Sequence, residues 1–168
     1  MAGEIEARLK ALDIVLPEAK GAIGSYVPFL HLNSQLFISG QLPIKDGKLA
    51  VTGTLGADLD LGRGQEAARL CALHVLAQAK AALRDLDRIV QLLRLNGFVS
   101  AAPGFADHPK VLNAASDLMV EVLAAEEPFW RSENGSSTSR TSVRCRWRTS
   151  TARRSRSAPA TAMAASSS

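Results

Sequence analysis

The sequence predicts an α+β domain, a sheet with two main helices on one face. Three observations point to it. Short apolar, β-prone runs such as VPFLHL and QLFI lie between Asn, Gly and Asp turn signals. A long amphipathic segment, GRGQEAARLCALHVLAQAKAALRDL, follows them with its apolar residues at helical spacing. A further apolar run and a second amphipathic segment complete the order strands, helix, strand, helix, which packs naturally as helices on a sheet.

Taken in order, Glu4 to Leu12 reads as a short helix with Ile5, Leu9 and Leu12 on one side. Pro17 through Gly24 is a loop, and Tyr26, the only Tyr, follows it. Val27 to Leu32 and Leu36 to Ile38 read as strands joined by a tight turn at Asn33-Ser34. Ser39-Gly40 stops the second strand abruptly, presenting backbone and a small hydroxyl at a strand end. Lys45-Asp46-Gly47-Lys48 carries the Asp-Gly pair of a tight reversal, after which Leu49-Ala50-Val51 reads as a third short strand.

Thr52 to Leu61 is a loop. The main helix is expected from Gly62 to Leu86, with Ala68, Cys71, Ala72, Val75, Ala79, Ala82, Leu83 and Leu86 on one face and Arg69, Lys80 and Arg84 turned to water. So many Ala residues imply a helix lying close on its neighbours. Ile89 to Val99 reads as one long strand with a bulge at Asn96-Gly97. After a loop with Pro103 and Gly104, Pro109 suits a first helical turn, and a second main helix runs from Val111 to Ala125.

The chain of 168 residues, 46 % of them apolar, is long enough for one domain with a substantial core. Its apolar runs are too short to span a bilayer, and its N-terminus has no apolar core of a secretory signal. Cys71 and Cys145 have unlike contexts and suggest neither zinc nor a disulfide framework, so a cytoplasmic setting is expected. His31, His74 and His108 show no metal-ligand spacing. Phosphate loops, nucleophile elbows and dinucleotide fingerprints are absent.

The net charge of +4 is unevenly spread: residues 1–130 carry a balance of −3 and residues 131–168 one of +7. The latter contain no Lys, Leu, Ile, Tyr or Asp, a composition that favours disorder. A basic arm for nucleic acid is the functional alternative, disfavoured by the acidic body and the scarcity of aromatic residues.

Tyr26, Ser39-Gly40-Gln41-Leu42-Pro43, EAARLCALHVLAQAK at 66–80, a VNGF-like strand with LNGF at 95–98, and VLNAASDLMVEV at 111–122 occur in an order that resembles the YjgF/RidA family of small imine deaminases. More closely, it resembles a subgroup of that family labelled as endoribonucleases. The resemblance implies a chorismate-mutase-like fold and a homotrimer whose subunits bury the second sheet face. It also implies hydrolysis of a small 2-imino or 2-enamino acid, such as 2-aminoacrylate, to a 2-oxo acid and ammonia. It requires no metal or organic cofactor, no membrane and no nucleic acid.

By the same resemblance, Arg140 clamps the substrate carboxylate, against the alternative of one more solvated Arg in the tail. Ser39 presents a hydroxyl near the substrate, or else caps its own turn. Tyr26 closes one side of a pocket between subunits, or else packs as a core ring. Gly40, Asn113 and Ser142 are assigned to substrate binding, with Asn113 alternatively bonded to a loop. Ser142 stands where many members carry Cys.

The resemblance divides the chain into a domain at 1–130, a remnant of the family's Arg-containing strand at 131–143, and a tail at 144–168. Ser139 to Val143 fits the first closing strand of the family, and then the match ends. Shifted by one base, Arg144 to Ser157 can be read as something like ALSLADVDGPPVEV, similar to the missing final strand. The expectation is a frameshift near Val143. An intact single-frame ending found in the gene of independent isolates would overturn it. Loss of the final strand would remove a carboxylate and expose a sheet edge. That favours a first rival function, a module that binds small carboxylates without turnover. A second rival is an endoribonuclease.

Overall fold

The computed structural model describes residues 3–21 and 24–123, together with the backbone of Val143–Trp147. The elements are α1 (Glu4–Ala11), β1 (Phe29–Leu32), β2 (Gln35–Ile38), β3 (Ile44–Lys45), β4 (Lys48–Leu49), α2 (Leu61–Leu83), β5 (Ile89–Arg94), α3 (His108–Leu123) and β6 (Val143–Trp147). A four-stranded sheet has the order β1-β2-β6-β5, and its three pairings are antiparallel. A separate ribbon pairs β3 with β4.

The β1–β2 hairpin forms because Asn33 accepts a left-handed conformation (φ 53°) in the two-residue turn between Leu32 and Gln35. In the ribbon, Asp46 and Gly47 both have positive φ (53° and 79°), as a type I′ reversal requires. The expected strand at Leu49–Val51 is shorter and begins one residue earlier: β4 covers Lys48–Leu49 and belongs to the ribbon rather than the main sheet.

Alternation along β2 decides which way the sheet faces. Leu36 and Ile38 are fully buried beneath the helices, while Phe37 points to the opposite face. Register puts Leu30 opposite Phe37, and Leu32 shares that side; both leucines are about half exposed. So the helix-covered face is closed and the other presents apolar side chains.

Helix α2 begins at Asp60, whose carboxylate accepts from the Arg63 amide at 2.8 Å. It ends at Leu83 because Arg84 turns left-handed (φ 64°) and returns its N–H to the Lys80 carbonyl. Leu86, expected on the helix, is fully buried in a following 3-10 turn. Ala72, Val75, Ala79 and Leu83 join the core with Leu36, Ile38, Leu92 and, from α3, Ala115, Leu118, Met119 and Val122. The Ala residues let α3 lie close along α2.

Burial on α2 is wider than one stripe. His74 and Gln78 are also buried, and each meets a backbone carbonyl. The His74 Nε2–H donates to Ile44 O at 2.8 Å, fastening the ribbon, and Gln78 Nε2 donates to Lys20 O at 2.6 Å, fastening the preceding loop. His74 is thus structural.

Strand β5 stops at Arg94, five residues short of the expected end, and register shifts interrupt its pairing with β6. Leu95 to Val99 leaves the sheet. Val143 to Trp147 runs between β2 and β5, while residues 131–142, read from the sequence as the remnant of the Arg-containing strand, lie outside the described residues.

Helix α1 closes one end of the core. Ile5 and Leu9 are buried, and Arg8 donates to the Val122 carbonyl at 2.9 Å. Its exposed N–H groups are met from a distance in sequence: the Asp87 carboxylate accepts from Glu4 N at 2.7 Å and Ile5 N at 2.8 Å. Asp87→Ala is expected to lower stability by about 1–2 kcal/mol, the value of a lost helix cap. Urea unfolding would read the loss and amide exchange would show α1 protection falling; an unchanged midpoint with unchanged exchange would contradict it.

Candidate functional site

The strand end at Ser39-Gly40 is rigidly built. Ser39 N donates to Pro28 O at 3.0 Å, and its Oγ donates to Val27 O at 2.6 Å, across the hairpin. The hydroxyl therefore neither caps its own turn nor stands free, although its oxygen keeps lone pairs for an incoming donor. Gln41 Nε2 returns to the Ser39 carbonyl at 3.0 Å, which folds the SGQLP segment over itself. Tyr26 lies just before β1, about half exposed.

Tyr26 and Gly40 both line a cavity of about 440 Å³. Its floor is the first half of α2, where Gly64, Ala67, Ala68 and Cys71 recur at helical spacing. One wall is the segment Leu95–Ser100 together with Val111, Leu112 and Ala115 of α3. The other is the loop after β4, including Val51 and Leu55. The walls are tied to each other: Leu55 N donates to Ser100 O at 2.9 Å and Ala102 N donates to Leu55 O at 2.8 Å.

The helix floor is small for a reason that lies outside propensity. A Cβ at Gly64 would run into the buried Leu55 side chain, so the loop approaches the helix backbone directly.

Among the described residues the lining contains no Asp, Glu, His, Lys or Arg, and its ionisable side chains there are Tyr26 and Cys71. Burial pushes the Cys71 thiol up to about 11, only partly opposed by a backbone hydrogen bond, so at neutral pH it is a protonated, weakly nucleophilic group. Among the described residues no three His, Cys, Asp or Glu side chains converge as a metal site would need.

The expected site residues divide. Tyr26 and Gly40 meet at the cavity, and Ser39 adjoins Gly40 without lining it. Asn113 is exposed on α3, one residue beyond the cavity-lining Leu112. Arg140 and Ser142 lie outside the described residues. Reading the sequence gave Gln41, Asn96 and Phe98 no site role, although they lie in the SGQLP and LNGF stretches that carry the resemblance. Asn96-Gly97 reads as a bulge in a strand; here a Cβ at Gly97 would overlap the Leu112 side chain, so the segment packs on α3 instead.

A model of the YjgF/chorismate mutase-like family of putative endoribonucleases matches residues 6–132. A Trypanosoma cruzi protein named TCP17 is 44 % identical over 124 residues, covering 74 % of this chain and 78 % of that one. The crystal structure of a putative endoribonuclease from Shewanella oneidensis MR-1 superposes with a TM-score of 0.74 at 35 % identity, over 86 % of this chain and 99 % of the other. A protein of unknown function from Agrobacterium tumefaciens gives a TM-score of 0.71 at 39 % identity, over 86 % and 94 %. With its strand-end SGQLP segment, its two apposed helices and these matches along most of its length, the chain belongs to the YjgF/chorismate mutase-like family of putative endoribonucleases.

Proposed function

We propose that the protein hydrolyses reactive 2-imino and 2-enamino acids to 2-oxo acids and ammonia. The observation that carries this reading is the strand end itself: Tyr26 and Gly40 line a cavity with no charged side chain among its described residues, and Ser39 adjoins Gly40 there. Register supports a place for the carboxylate clamp. Ile38, the last residue of β2, stands opposite Val143, the first of β6, so β6 starts at the end of the sheet where Ser39 and Gly40 leave it. Arg140 precedes Val143 by three residues, which a chain spans in at most about 11 Å. A guanidinium there would hold a carboxylate in a two-pronged fork.

The chemistry asks little more. Water adds its oxygen to C2 of the protonated imine, a proton passes to nitrogen, and the C2–N bond breaks to release ammonium. The Ser39 oxygen and the backbone at Gly40 are suited to orient imine and water, with Asn113 and Ser142 as further polar contacts, and Tyr26 screens the mouth. A thiol nucleophile has no part, in keeping with the protonated state of Cys71. A cytoplasmic setting completes this reading; no helix among the described residues is long and apolar enough to cross a membrane.

The absence of acid or base side chains from the described lining favours a second reading, binding of a small carboxylate without turnover. A ribonuclease, the description carried by the family, finds less support. His31 lies beside Phe29, His108 beside Phe105, and His74 is held by Ile44 O, so the three have separate surroundings.

The test is ammonia and pyruvate release from freshly generated 2-aminoacrylate. The protein is expected to exceed the spontaneous rate, and Arg140→Ala to lose roughly 100-fold in kcat/KM, as for a charge-paired substrate contact. Acceleration that survives the substitution would remove Arg140 from the clamp. No acceleration with any imino acid would favour binding alone.

The apolar sheet face of Leu30, Leu32 and Phe37 supports a homotrimer that buries it. Sedimentation equilibrium is expected to give three times the chain mass of 17.9 kDa, and Leu32→Glu to dissociate the assembly. A monomeric wild-type protein would refute this.

A further inference from the structure

The chain holds two Asn-Gly dipeptides, Asn96-Gly97 and Asn134-Gly135. Such a pair is open to cyclisation, because a glycine amide reaches the neighbouring carboxamide with no Cβ of its own in the way. Whether a folded protein permits the reaction depends on what holds that amide and that carboxamide.

At Asn96-Gly97 the fold leaves the nucleophile free and engages the electrophile. Strand β5 ends at Arg94, so neither residue is held in a ladder. Among the described residues nothing accepts a hydrogen bond from Gly97 N. Both residues are half-buried, within reach of solvent. Arg94 Nε donates to Asn96 Oδ1 at 3.1 Å. That places a guanidinium on the oxygen which becomes negative when the carboxamide carbon is attacked. The glycine itself is fixed by packing, since a Cβ there would overlap Leu112.

We propose that Asn96 is a site of spontaneous deamidation assisted by Arg94. Gly97 N bonds to Asn96 Cγ, the Cγ–Nδ2 bond breaks, and the amide proton goes to the departing nitrogen, which leaves as ammonia. Water then adds to either carbonyl of the cyclic imide and opens it, giving aspartate or isoaspartate. Water is the sole co-reactant, and nothing is oxidised or reduced. Each product carries a carboxylate where Asn96 lines the cavity wall, beside the Arg94 guanidinium. Isoaspartate also adds a main-chain atom where Gly97 lies against Leu112, so conversion loosens that wall.

The test holds the folded protein in mildly alkaline buffer at physiological temperature and follows its tryptic peptides by mass spectrometry. Asn96 lies in the peptide Leu95–Lys110 and Asn134 in Ser132–Arg140, so one digest reads both sites and Asn134 serves as the reference for buffer effects. Leu95–Lys110 is expected to gain the mass of an amide-to-carboxylate change and to accept a methyl group from a protein isoaspartate methyltransferase. Neither change is expected in Asn96→Gln. Arg94→Ala, at an exposed position, should slow conversion of Asn96 about tenfold, the value of one hydrogen bond from a charged donor. Arg94→Lys keeps a charged donor and should restore part of the rate, with Asn134 unaffected by either substitution.

Asn96 remaining an amide in the folded protein would overturn the proposal, and its conversion in urea would then show that the fold protects it. Equal rates at Asn96 in Arg94→Ala and the unsubstituted protein would overturn it as well, leaving the reactivity to the dipeptide alone.

Discussion

Helix α2 is buried on more than one side, and the remaining elements are arranged to suit that constraint. Its second half sends Val75, Leu76, Ala79 and Leu83 into the core, where β2 and α3 meet it. The same turns bury His74 and Gln78, which would be costly if unpaired. Both reach carbonyls outside the main sheet, Ile44 of the two-residue strand β3 and Lys20 of the loop that follows α1. One helix therefore fastens the ribbon and a loop while supplying the apolar interior. Removing either side chain takes the donor from a part-buried carbonyl, a loss of about 1 kcal/mol, that of a typical hydrogen bond.

The first half of α2 has a different task. Its Gly and Ala residues border empty space, and that space persists because its walls are tied to each other as well as to the helix. Leu55 exchanges hydrogen bonds with Ser100 and Ala102, so the loop after β4 and the segment after β5 move as one. Gly97 lies against Leu112, fixing that segment to α3. A cavity between walls cross-linked in this way cannot be closed by shifting one loop, which is why small residues on its floor leave a void.

Much of the fold was legible because local chemistry and tertiary need coincide. Asn33 and the Asp46-Gly47 pair mark turns that only residues tolerant of positive φ make cheaply, and both turns are where the sequence puts them. The end of α2 was not legible, since Arg84 adopts the left-handed cap without the usual Gly, and apolar spacing runs on through Leu86. Likewise, Leu95 to Val99 continues the apolar character of β5 but pairs with no strand among the described residues, because packing on α3 and the cavity prevails over β propensity. Of the site, the strand end was visible in SGQLP. The cavity was not, because its described lining comes from six separate stretches of chain whose convergence no local pattern encodes.

An uncharged cavity beside a polar strand end also bears on selectivity. Low dielectric strengthens whatever charge pair forms at the rim, and it penalises any charge carried inward. On the proposed reading, one guanidinium at the mouth and hydrocarbon walls behind it leave an amphiphilic imino acid a single way to enter. Carboxylate to the rim and side chain to the interior would satisfy both ends and would hold C2 at the strand end. Orientation would then come from the contrast between two environments, and the catalytic demand reduces to placing one water, which a serine oxygen and fixed backbone can do without an acid or base in the lining.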